Sequence, residues 1–536
     1  MYLLLENFRV NALRMPYAAE FVDENLHSVI AEHLHIPPEA LANGYRIRAK
    51  SIDARRGAPE LIYTVALEIA DAYSAEAGRY GAILSEKDFL QSPLQNTLEF
   101  TDCSNKLRHP IVVGTGPAGL LAALVLAESG TAPLILDRGF DIDKRVEDCE
   151  KFFASRVLDS ESNLLFGAGG AGTFSDGKLY TRVHDPRADF VLQALIEAGA
   201  PADTAYLKRP HLGSDLLLNI VKNLRKRIEA KGGVFRFGAA VKSIMVQNNV
   251  CTGVVLANGE KIAAPKVVFA HGLGGRDLTR MLTGFVDWQF KGFQLGCRVE
   301  HLQEFVDFRQ YRFSPRPAAL PAAEYNMISK SPQKIAGEGV TTFCMCPGGE
   351  IVPATGWAGQ LCSNGMSLRA RDGRFANAAV ITTIPGERFH TPAEAYDFLD
   401  NLEKRCFEFG GSDYTFPAQS IKSFLRREKG LTSNESSARL GLKAAPLHDI
   451  LGKEITDRFI PAFKHFDKLM KGFISGNCVG IESCVSSPVR LTRNPETLES
   501  SCANLYIAGE GAGYAGGIVS AAIDGIKVAE KVLLNS

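Results

Sequence analysis

The sequence predicts an α/β fold in which a doubly wound parallel-sheet domain contains an inserted second domain and follows a small α+β module. Three observations support this prediction. A strand, a glycine-rich turn, a helix and a second strand follow one another from Ile111, and a strand with a similar turn recurs near residue 505. Residues from about 285 to 480 lack this alternation. The 536 residues are enough for about two to four domains.

Composition narrows the classes of function. The chain carries 60 basic and 60 acidic side chains, so no global charge favours nucleic acid or an anionic membrane. Its longest apolar run, 120–127, is too short to span a bilayer, and residues 1–10 do not resemble a signal peptide. Eleven cysteines occur without paired CxxC spacing, which is typical of reduced thiols and predicts no metal site. We expect a soluble cytoplasmic protein with a small-molecule substrate and no nucleic-acid partner; a redox partner stays open.

The first 105 residues predict the α+β module. Its expected elements are a strand at 2–10, a helix at 18–34 and strands at 45–53 and 61–69. No residue in it suggests catalysis. A docking or capping role is therefore favoured over a recognition domain.

The glycine-rich turn after Ile111 has the context of a dinucleotide-binding unit. The unit comprises strand 111–113, the three turn glycines, helix 118–128, strand 134–136 and Asp137. Gly114 permits the turn, Gly116 lets the backbone approach a pyrophosphate, and Gly119 lets the helix touch the strand. Asp137 lies where a ribose hydroxyl needs an acceptor. The segment predicts a Rossmann-like site.

The GxGxxG pattern occurs twice more, at 167–172 and at 511–516. The last copy follows a strand (505–508) and precedes a helix (518–532), but the sequence ends before a second strand and acid could follow. A second complete dinucleotide unit is therefore not expected, and a nicotinamide cofactor would have to be a transient partner.

The second glycine-rich copy lies in a long loop, 163–179, that follows a helix at 142–153. Its five glycines alternate with hydroxyl, carboxylate and ammonium side chains, including Thr173, Asp176 and Lys178. So many glycines are costly in chain entropy unless a ligand fills the space. We expect this loop to wrap a polyol and a flat ring.

The next segment, 209–215, contains His211. This side chain is expected either to face the ligand or to have a capping or structural role. A helix at 216–230 follows, with Ser214 or Asp215 as its expected cap. Four strands are then expected at 234–237, 241–246, 251–256 and 266–270.

The 285–480 region is the expected substrate domain. Cys344 and Cys346 would share a face of a regular strand, with α-carbons ~6.6 Å apart. Two buried, inert thiols are favoured over a redox pair. Arg490, just beyond this region, is assigned either to clamping a substrate carboxylate or to a structural ion pair. The basic residues within 422–429 predict a solvated helix face.

Several linked motifs carry a family resemblance. They are VVGTGPAGLLAALVLAESG, FGAGGAGTFSDGKLYTR, RPHLGSD, FCMCPGG, NGMS, SSPVR and LYIAGEGAGYAGGIVSAAIDGI. Together they resemble the bacterial FAD-dependent dehydrogenases called NAD(FAD)-utilising dehydrogenases. The resemblance implies a glutathione-reductase-type fold with non-covalent FAD. Glu510 would then approach the ribityl and pyrophosphate part, amides near Gly516 to Ile518 would face flavin N1 and O2, and the Val241 strand would pass the adenine.

The predicted domains are 1–105, 106–284 (FAD-binding), 285–480 (substrate) and 481–536 (FAD-binding). The residues predicted to bind FAD are Gly114, Gly116, Pro117, Ala118, Gly119, Asp137, Arg138, Arg145, Gly169, Gly170, Thr173, Asp176, Gly177, Lys178, Val241, Gly272, Gly509, Glu510, Gly516, Gly517 and Ile518.

The expected function is hydride transfer between flavin N5 and an unidentified small organic substrate. His211 is the acid/base candidate and Arg490 the anchor. One alternative is dithiol redox chemistry at Cys344 and Cys346. Another is a flavin-binding protein that docks to a macromolecule.

Overall fold

The computed structural model describes residues 1–55, 57–331 and 338–535. Its first elements are β1 (Tyr2–Asn11), α1 (His27–Leu34), β2 (Leu41–Asp53), β3 (Glu60–Ile69), α2 (Ser74–Ala77), β4 (Ala82–Leu84) and α3 (Glu86–Leu90). The four strands form an antiparallel sheet in the order β2-β3-β1-β4. The buried residues of β1, β3 and α1 belong to one hydrophobic core.

The prediction of a helix over 18–34 is wrong in its first half, because the regular helix begins only at His27. The carboxylate of Asp23 accepts hydrogen bonds from the hydroxyls of Tyr63 and Tyr206, at 2.9 and 3.1 Å. These long-range bonds fix the backbone ahead of His27. Tertiary contacts therefore override the helical periodicity of the sequence.

The α/β domain follows, with elements close to those predicted. They are β5 (Ile111–Val113), α4 (Pro117–Glu128), β6 (Leu134–Leu136), α5 (Ile142–Ser155), α6 (Arg187–Glu197), α7 (Ser214–Ala230), β7 (Val234–Arg236), β8 (Val241–Gln247), β9 (Val250–Leu256), β10 (Lys261–Ala263), β11 (Val267–Phe269) and α8 (Arg276–Leu282). Strands β8, β9 and β10 form a separate antiparallel meander.

The expected cap of α7 is wrong. Gly213 is the N-cap, with φ 78°, and a Cβ on it would lie 2.1 Å from the backbone nitrogen of Arg369. The carboxylate of Asp215 accepts a hydrogen bond from that same nitrogen at 2.9 Å. Both features fasten the start of α7 to a different part of the chain.

The third region is built on a seven-stranded sheet. Its elements are β12 (Trp288–Phe290), β13 (Phe293–Leu302), α9 (Gln303–Tyr311), β14 (Ile328–Ser329), β15 (Val340–Cys346), β16 (Glu350–Pro353), β17 (Ser363–Met366), β18 (Phe375–Ile384), α10 (Pro392–Gly410), β19 (Phe416–Ser420), α11 (Ile421–Arg426), β20 (Leu442–Ala444), α12 (Leu447–Leu469), β21 (Asn477–Glu482) and β22 (Val489–Leu491). The order in the large sheet is β14-β15-β18-β13-β21-β19-β20.

The last two elements, β23 (Leu505–Ile507) and α13 (Ile518–Leu534), return to the α/β domain. Strand β23 completes a parallel sheet in the order β23-β11-β5-β6-β7. Since parallel strands end at the same edge, the turns after β5, β11 and β23 are neighbours. None of the helices in the described ranges is both long and apolar enough to cross a membrane.

Candidate cofactor and active site

The turn between β5 and α4 depends on glycine at two positions. Gly114 has φ 101°, and a Cβ on it would lie 2.4 Å from the carbonyl oxygen of Ala270. A Cβ on Gly119 would lie 1.9 Å from the carbonyl oxygen of Gly114. Around Gly116, by contrast, no described atom lies within 4 Å of such a Cβ. Gly114 and Gly119 therefore take the turn and packing roles that the sequence predicts, and the approach of Gly116 to a pyrophosphate stays a prediction.

Asp137 stabilises this turn by accepting hydrogen bonds. One carboxylate oxygen accepts from the backbone nitrogen and the hydroxyl of Thr115, and the other accepts from the nitrogen of Gly139 at 2.9 Å. The side chain is buried. Most of its hydrogen-bonding capacity is thus used within the protein, and its contact with a ribose stays a prediction.

The second glycine-rich loop packs directly on the first turn. Gly169 donates its backbone N–H to the carbonyl of Thr115 at 3.1 Å, and a Cβ on Gly170 would lie 3.0 Å from the α-carbon of Gly116. The hydroxyl of Thr173 donates to Ala168 within the loop at 3.3 Å. The two glycine motifs therefore form one continuous backbone surface.

Arg145 organises that loop from inside. Its fully buried guanidinium donates to the carbonyls of Asn163, Ala168 and Gly170 at 2.9, 2.6 and 2.9 Å. Burial lowers the pKa of Arg145 to about 10. Among the described residues, its Nη2 has no hydrogen-bond partner. Arg145, which was predicted to contact the cofactor, thus stabilises the loop by binding backbone carbonyls of the loop.

Arg138 lies beside the same loop. It pairs with Glu161 at 2.9 Å and Asp277 at 2.8 Å, and its guanidinium lies over the rings of Phe166 and Trp357 at 4.5 and 5.4 Å. The rings of Phe166 and Trp357 are nearly perpendicular, with an interplanar angle of 77°, and both lie against this guanidinium beside the end of β6. Val241, on the strand predicted to pass the adenine, is buried at the start of β8.

The C-terminal segment brings a second helix N-terminus to this edge. Helices α4 and α13 start after Gly116 and Gly517, and neither N-cap makes a side-chain hydrogen bond in the described structure. The helices pack closely, because a Cβ on Gly525 would lie 2.0 Å from the carbonyl oxygen of Ala118. Gly272, after β11, also borders open space. Two uncapped N-termini and two open glycines fit an anionic dinucleotide such as FAD.

The loop before α13 is held by Glu510. Its carboxylate accepts from the backbone nitrogen of Ser487 at 3.1 Å and lies 3.8 Å from the ammonium of Lys291. Burial raises the pKa of Glu510. A Cβ on Gly516 would lie 2.8 Å from the same carboxylate, and Gly509 donates its N–H to Asp524 at 2.8 Å.

The second glycine loop ends at a buried ionic group. Arg371 makes a bidentate pair with Asp176, at 2.9 and 2.5 Å, and the ammonium of Lys178 lies 3.2 Å from the same carboxylate. Burial would raise the pKa of Asp176, but Lys178 and Arg371 hold it well below its usual range. The Lys178 nitrogen has no hydrogen-bond partner within the described ranges.

The cysteine pair lies next to Lys178. Strand β15 is irregular between Phe343 and Cys346, and Cys344 has φ 42°, so the regular strand assumed for the ~6.6 Å spacing is absent. The thiol of Cys346 donates to the carbonyl oxygen of Cys344 at 3.6 Å. Cys346, with nearby Lys178 and Arg298, lowers the pKa of Cys344 to about 5 against the effect of burial. The expectation of two inert thiols stays a prediction.

Arg298 connects the cysteines with Glu482. It is fully buried and donates to both Glu482 oxygens at 2.9 Å, to the Cys344 carbonyl at 2.7 Å and to the Cys346 sulfur at 3.4 Å. Arg298 and Arg371 were missed in the sequence. The only local signal for Arg298 is a charge inside the apolar strand β13.

His211 contacts this group at its margin. Its Nε2 donates to the carbonyl of Arg369 at 3.0 Å, and it forms a β-bridge with Lys178. Burial and the neighbouring Arg371 lower the pKa of His211 to about 3. The ring is therefore neutral at pH 7 and a weak base, so the geometry favours the structural role left open in the sequence.

Arg490 lies elsewhere. It is on β22, donates to the carbonyl of Gly513 at 3.3 Å and lies over the ring of Tyr514 at 5.2 Å. The structure therefore brings Arg490 to the C-terminal glycine segment, not to His211 or the cysteines. Its role as a substrate anchor remains a prediction.

The N-terminal module reaches the site through a strap, residues 203–211. The backbone of Lys50 exchanges hydrogen bonds with Tyr206 and Lys208, both at 2.9 Å. At the other end of the strap, Leu179 donates to the carbonyl of Pro210 at 2.9 Å. The module thus supports the segment that carries Asp176 and Lys178.

Three solved structures match about the same part of the chain. CtdE in complex with FAD aligns with 80% of this chain and 86% of that chain, at 13% identity and a TM-score of 0.33. The flavin-dependent brominase Bmp2 aligns with 80% of this chain and 79% of that chain, at 11% identity and a TM-score of 0.35. A geranylgeranyl bacteriochlorophyll reductase-like protein from Thermoplasma acidophilum aligns with 80% of this chain and 78% of that chain, at 13% identity and a TM-score of 0.33. TM-scores this low support no conclusion about function.

Sequence comparisons are more specific. Residues 292–484 match a family described as FAD-dependent protein, C-terminal domain-like, and residues 8–68 match a domain family of unknown function. An uncharacterized protein of Clostridium beijerinckii is 41% identical over 432 residues, which cover 79% of this chain and 80% of that protein. By this identity and coverage, the chain belongs to the same family as the clostridial protein.

Proposed function

We propose that the protein is an FAD-dependent oxidoreductase of the glutathione-reductase type that transfers a hydride between flavin N5 and a small organic substrate. The observation that carries the proposal is the meeting of the two glycine motifs and the α13 N-terminus at one sheet edge, from which Lys178 reaches the cysteine pair. FAD held there would supply the hydride chemistry.

The backbone would hold most of the cofactor. The N-terminus of α4 suits the pyrophosphate, because its amides lack intrahelical partners and its dipole favours negative charge. The N-terminus of α13 suits the flavin N1 and O2 region for the same reason. The loop from Gly169 to Gly177 would cover the ribityl chain.

Lys178 is the proton donor and anchor that the geometry favours. Burial lowers its pKa, but Asp176 and the two thiols raise it further, so the ammonium stays charged at neutral pH. Its nitrogen makes an ion pair without a hydrogen bond in the described structure. It can therefore donate to a substrate oxygen and stabilise developing negative charge.

A dithiol reaction is the second candidate, and the lowered pKa of Cys344 favours it. A thiolate is the reactive form of cysteine, and Cys346 is close enough to donate a hydrogen bond to it. Oxidation of the Cys344 thiolate and the Cys346 thiol to a disulfide would release one proton and pass two electrons to the flavin. Lys178 and Arg298 would stabilise the thiolate in this reaction.

Anaerobic reduction of the purified yellow protein tests both proposals. The acid-released cofactor should have the mass of FAD, and NADH, NADPH or a small dithiol should bleach the flavin. Release of FMN, or no flavin after reconstitution with FAD, would refute the proposal. The dithiol reaction predicts that the Cys344→Ser/Cys346→Ser variant loses bleaching by a small dithiol but keeps bleaching by a nicotinamide, whereas the hydride reaction predicts that this variant bleaches like the wild type with every reductant.

Two variants make the test specific. Lys178→Met should retain FAD but lose turnover under either reaction. Cys406→Ser changes a buried thiol on α10 and serves as the control for loss of a cysteine. If Lys178→Met turns over an identified substrate at the wild-type rate, Lys178 is not part of the active site.

A further inference from the structure

A second group of metal-ligating side chains lies apart from the Cys344 pair. The sulfur atoms of Cys362 and Cys484 and a carboxylate oxygen of Glu403 all lie within 4.8 Å of one another. Cys362 precedes β17, Glu403 is on α10, and Cys484 follows β21. A tetrahedral zinc ion with Zn–S bonds of ~2.3 Å separates its sulfur ligands by about 3.8 Å, so these atoms are close enough to share one ion.

The three side chains are held by donors. Arg276 donates to Glu403 Oε1 at 2.6 Å and lies 3.4 Å from the sulfur of Cys484. Ser483 donates its backbone N–H to the sulfur of Cys362 at 3.5 Å and its hydroxyl to Glu403 Oε1 at 2.5 Å. These hydrogen bonds orient both sulfur atoms and the carboxylate, as outer-shell groups do around bound metals.

We propose that Cys362, Cys484 and Glu403 bind a borderline-soft divalent cation such as Zn²⁺. The bonds from Arg276 and Ser483 both fall on Oε1 of Glu403, which leaves Oε2 as the ligand atom. Three protein ligands leave one tetrahedral position for water. This site goes beyond the proposed FAD function, and its test does not depend on turnover.

Charge supports the proposal. Two thiolates and a carboxylate beside Arg276 would leave a buried excess of negative charge, which a divalent cation neutralises. Zinc binds cysteine in its thiolate form. Cys484 is only partly buried, which gives the ion an entry path. Binding should therefore release protons.

The test measures zinc in the FAD-loaded protein. After treatment with a chelator, the protein is incubated with Zn²⁺, freed of excess metal by gel filtration and analysed by elemental mass spectrometry. We expect one Zn²⁺ per chain in the wild type, a rise in melting temperature on binding, and loss of both in Cys362→Ser/Cys484→Ser. Cys344→Ser/Cys346→Ser and Cys406→Ser should keep the zinc.

Two single substitutions test the zinc site in case the double cysteine variant does not fold. Glu403→Gln should weaken zinc binding at least tenfold, and Arg276→Lys should weaken it by about 10–100-fold, as outer-shell changes do. Absence of zinc from the wild type, or equal zinc in Cys362→Ser/Cys484→Ser, would overturn the proposal. So would a Cys362–Cys484 disulfide, found by peptide mass analysis, in protein that takes up no metal.

Discussion

Replacing Glu482 by Gln should stabilise the protein at neutral pH, although it removes one half of a buried ion pair. The Glu482 side chain is 6% exposed and pairs with Arg298 at 2.9 Å. Burial raises the pKa of the Glu482 carboxyl to about 7, and the attraction of Arg298 offsets only part of this effect. A carboxyl whose pKa is raised in the folded state binds protons on folding, so its ionisation costs stability.

The magnitude follows from the pKa of Glu482. A rise from 4.5 to about 7 corresponds to about 3 kcal/mol, at about 1.36 kcal/mol per pH unit. This stability is fully present below about pH 4.5 and is lost as the pH rises through about 7. Gln stays neutral throughout. The difference between Glu482→Gln and the wild type should therefore grow by about 3 kcal/mol over this range, or about 3 °C in Tm for a chain of 536 residues.

The assay is thermal unfolding of FAD-loaded wild type and Glu482→Gln between pH 4.5 and 8, followed by circular dichroism. Taking the difference between the two proteins cancels the other titrating groups. In Arg298→Met the opposing attraction is gone, so the loss of stability should move to a higher pH than in the wild type. If the wild type instead gains stability over Glu482→Gln as the pH rises, the attraction of Arg298 exceeds the cost of burial and the reasoning fails.

The first glycine turn, the cysteine pair and the N-terminal module give three further predictions. Gly119→Ala should reduce the yield of folded protein, whereas Gly116→Ala should keep its Tm and lose FAD; full FAD retention in Gly116→Ala would contradict the pyrophosphate assignment. The pH dependence of Cys344 alkylation, followed by peptide mass analysis, should have its midpoint near pH 5, and this midpoint should rise in Cys346→Ala. An unchanged midpoint would show that Cys346 does not lower the pKa of Cys344. Tyr206→Phe should lower stability by about 1 kcal/mol and speed proteolysis of residues 1–105; unchanged proteolysis would argue against the strap as an anchor.

Local signals predicted the α/β unit well. Strands β5 and β6 have the predicted bounds, and α4 begins one residue earlier, because glycine geometry and apolar runs are properties of short segments. The helix over 18–34 failed because Asp23 bonds to tyrosines 40 and 183 residues away. Periodicity cannot detect such contacts.

In the candidate site, too, contiguous motifs could be predicted and contacts between distant residues could not. The glycine motifs could be predicted, because each is contiguous in the sequence. Arg298 meets Glu482 across 184 residues, and no spacing rule connects them. The expectation of no metal site rested on the absence of short cysteine motifs and stays a prediction. Cys362, Glu403 and Cys484 come from three separate elements, so no such motif could have connected them.

The strand order of the parallel sheet bears on when the cofactor can bind during biosynthesis. Strand β5 begins at Ile111, but its sheet is completed by β23 at Leu505, and the second helix N-terminus belongs to α13. At about 5–20 residues per second, a nascent chain therefore exposes the first turn well before the rest of the cradle exists. Such distant pairing slows folding. A cofactor held at this edge, as proposed above, can be fully enclosed only after residues 285–480 have been made.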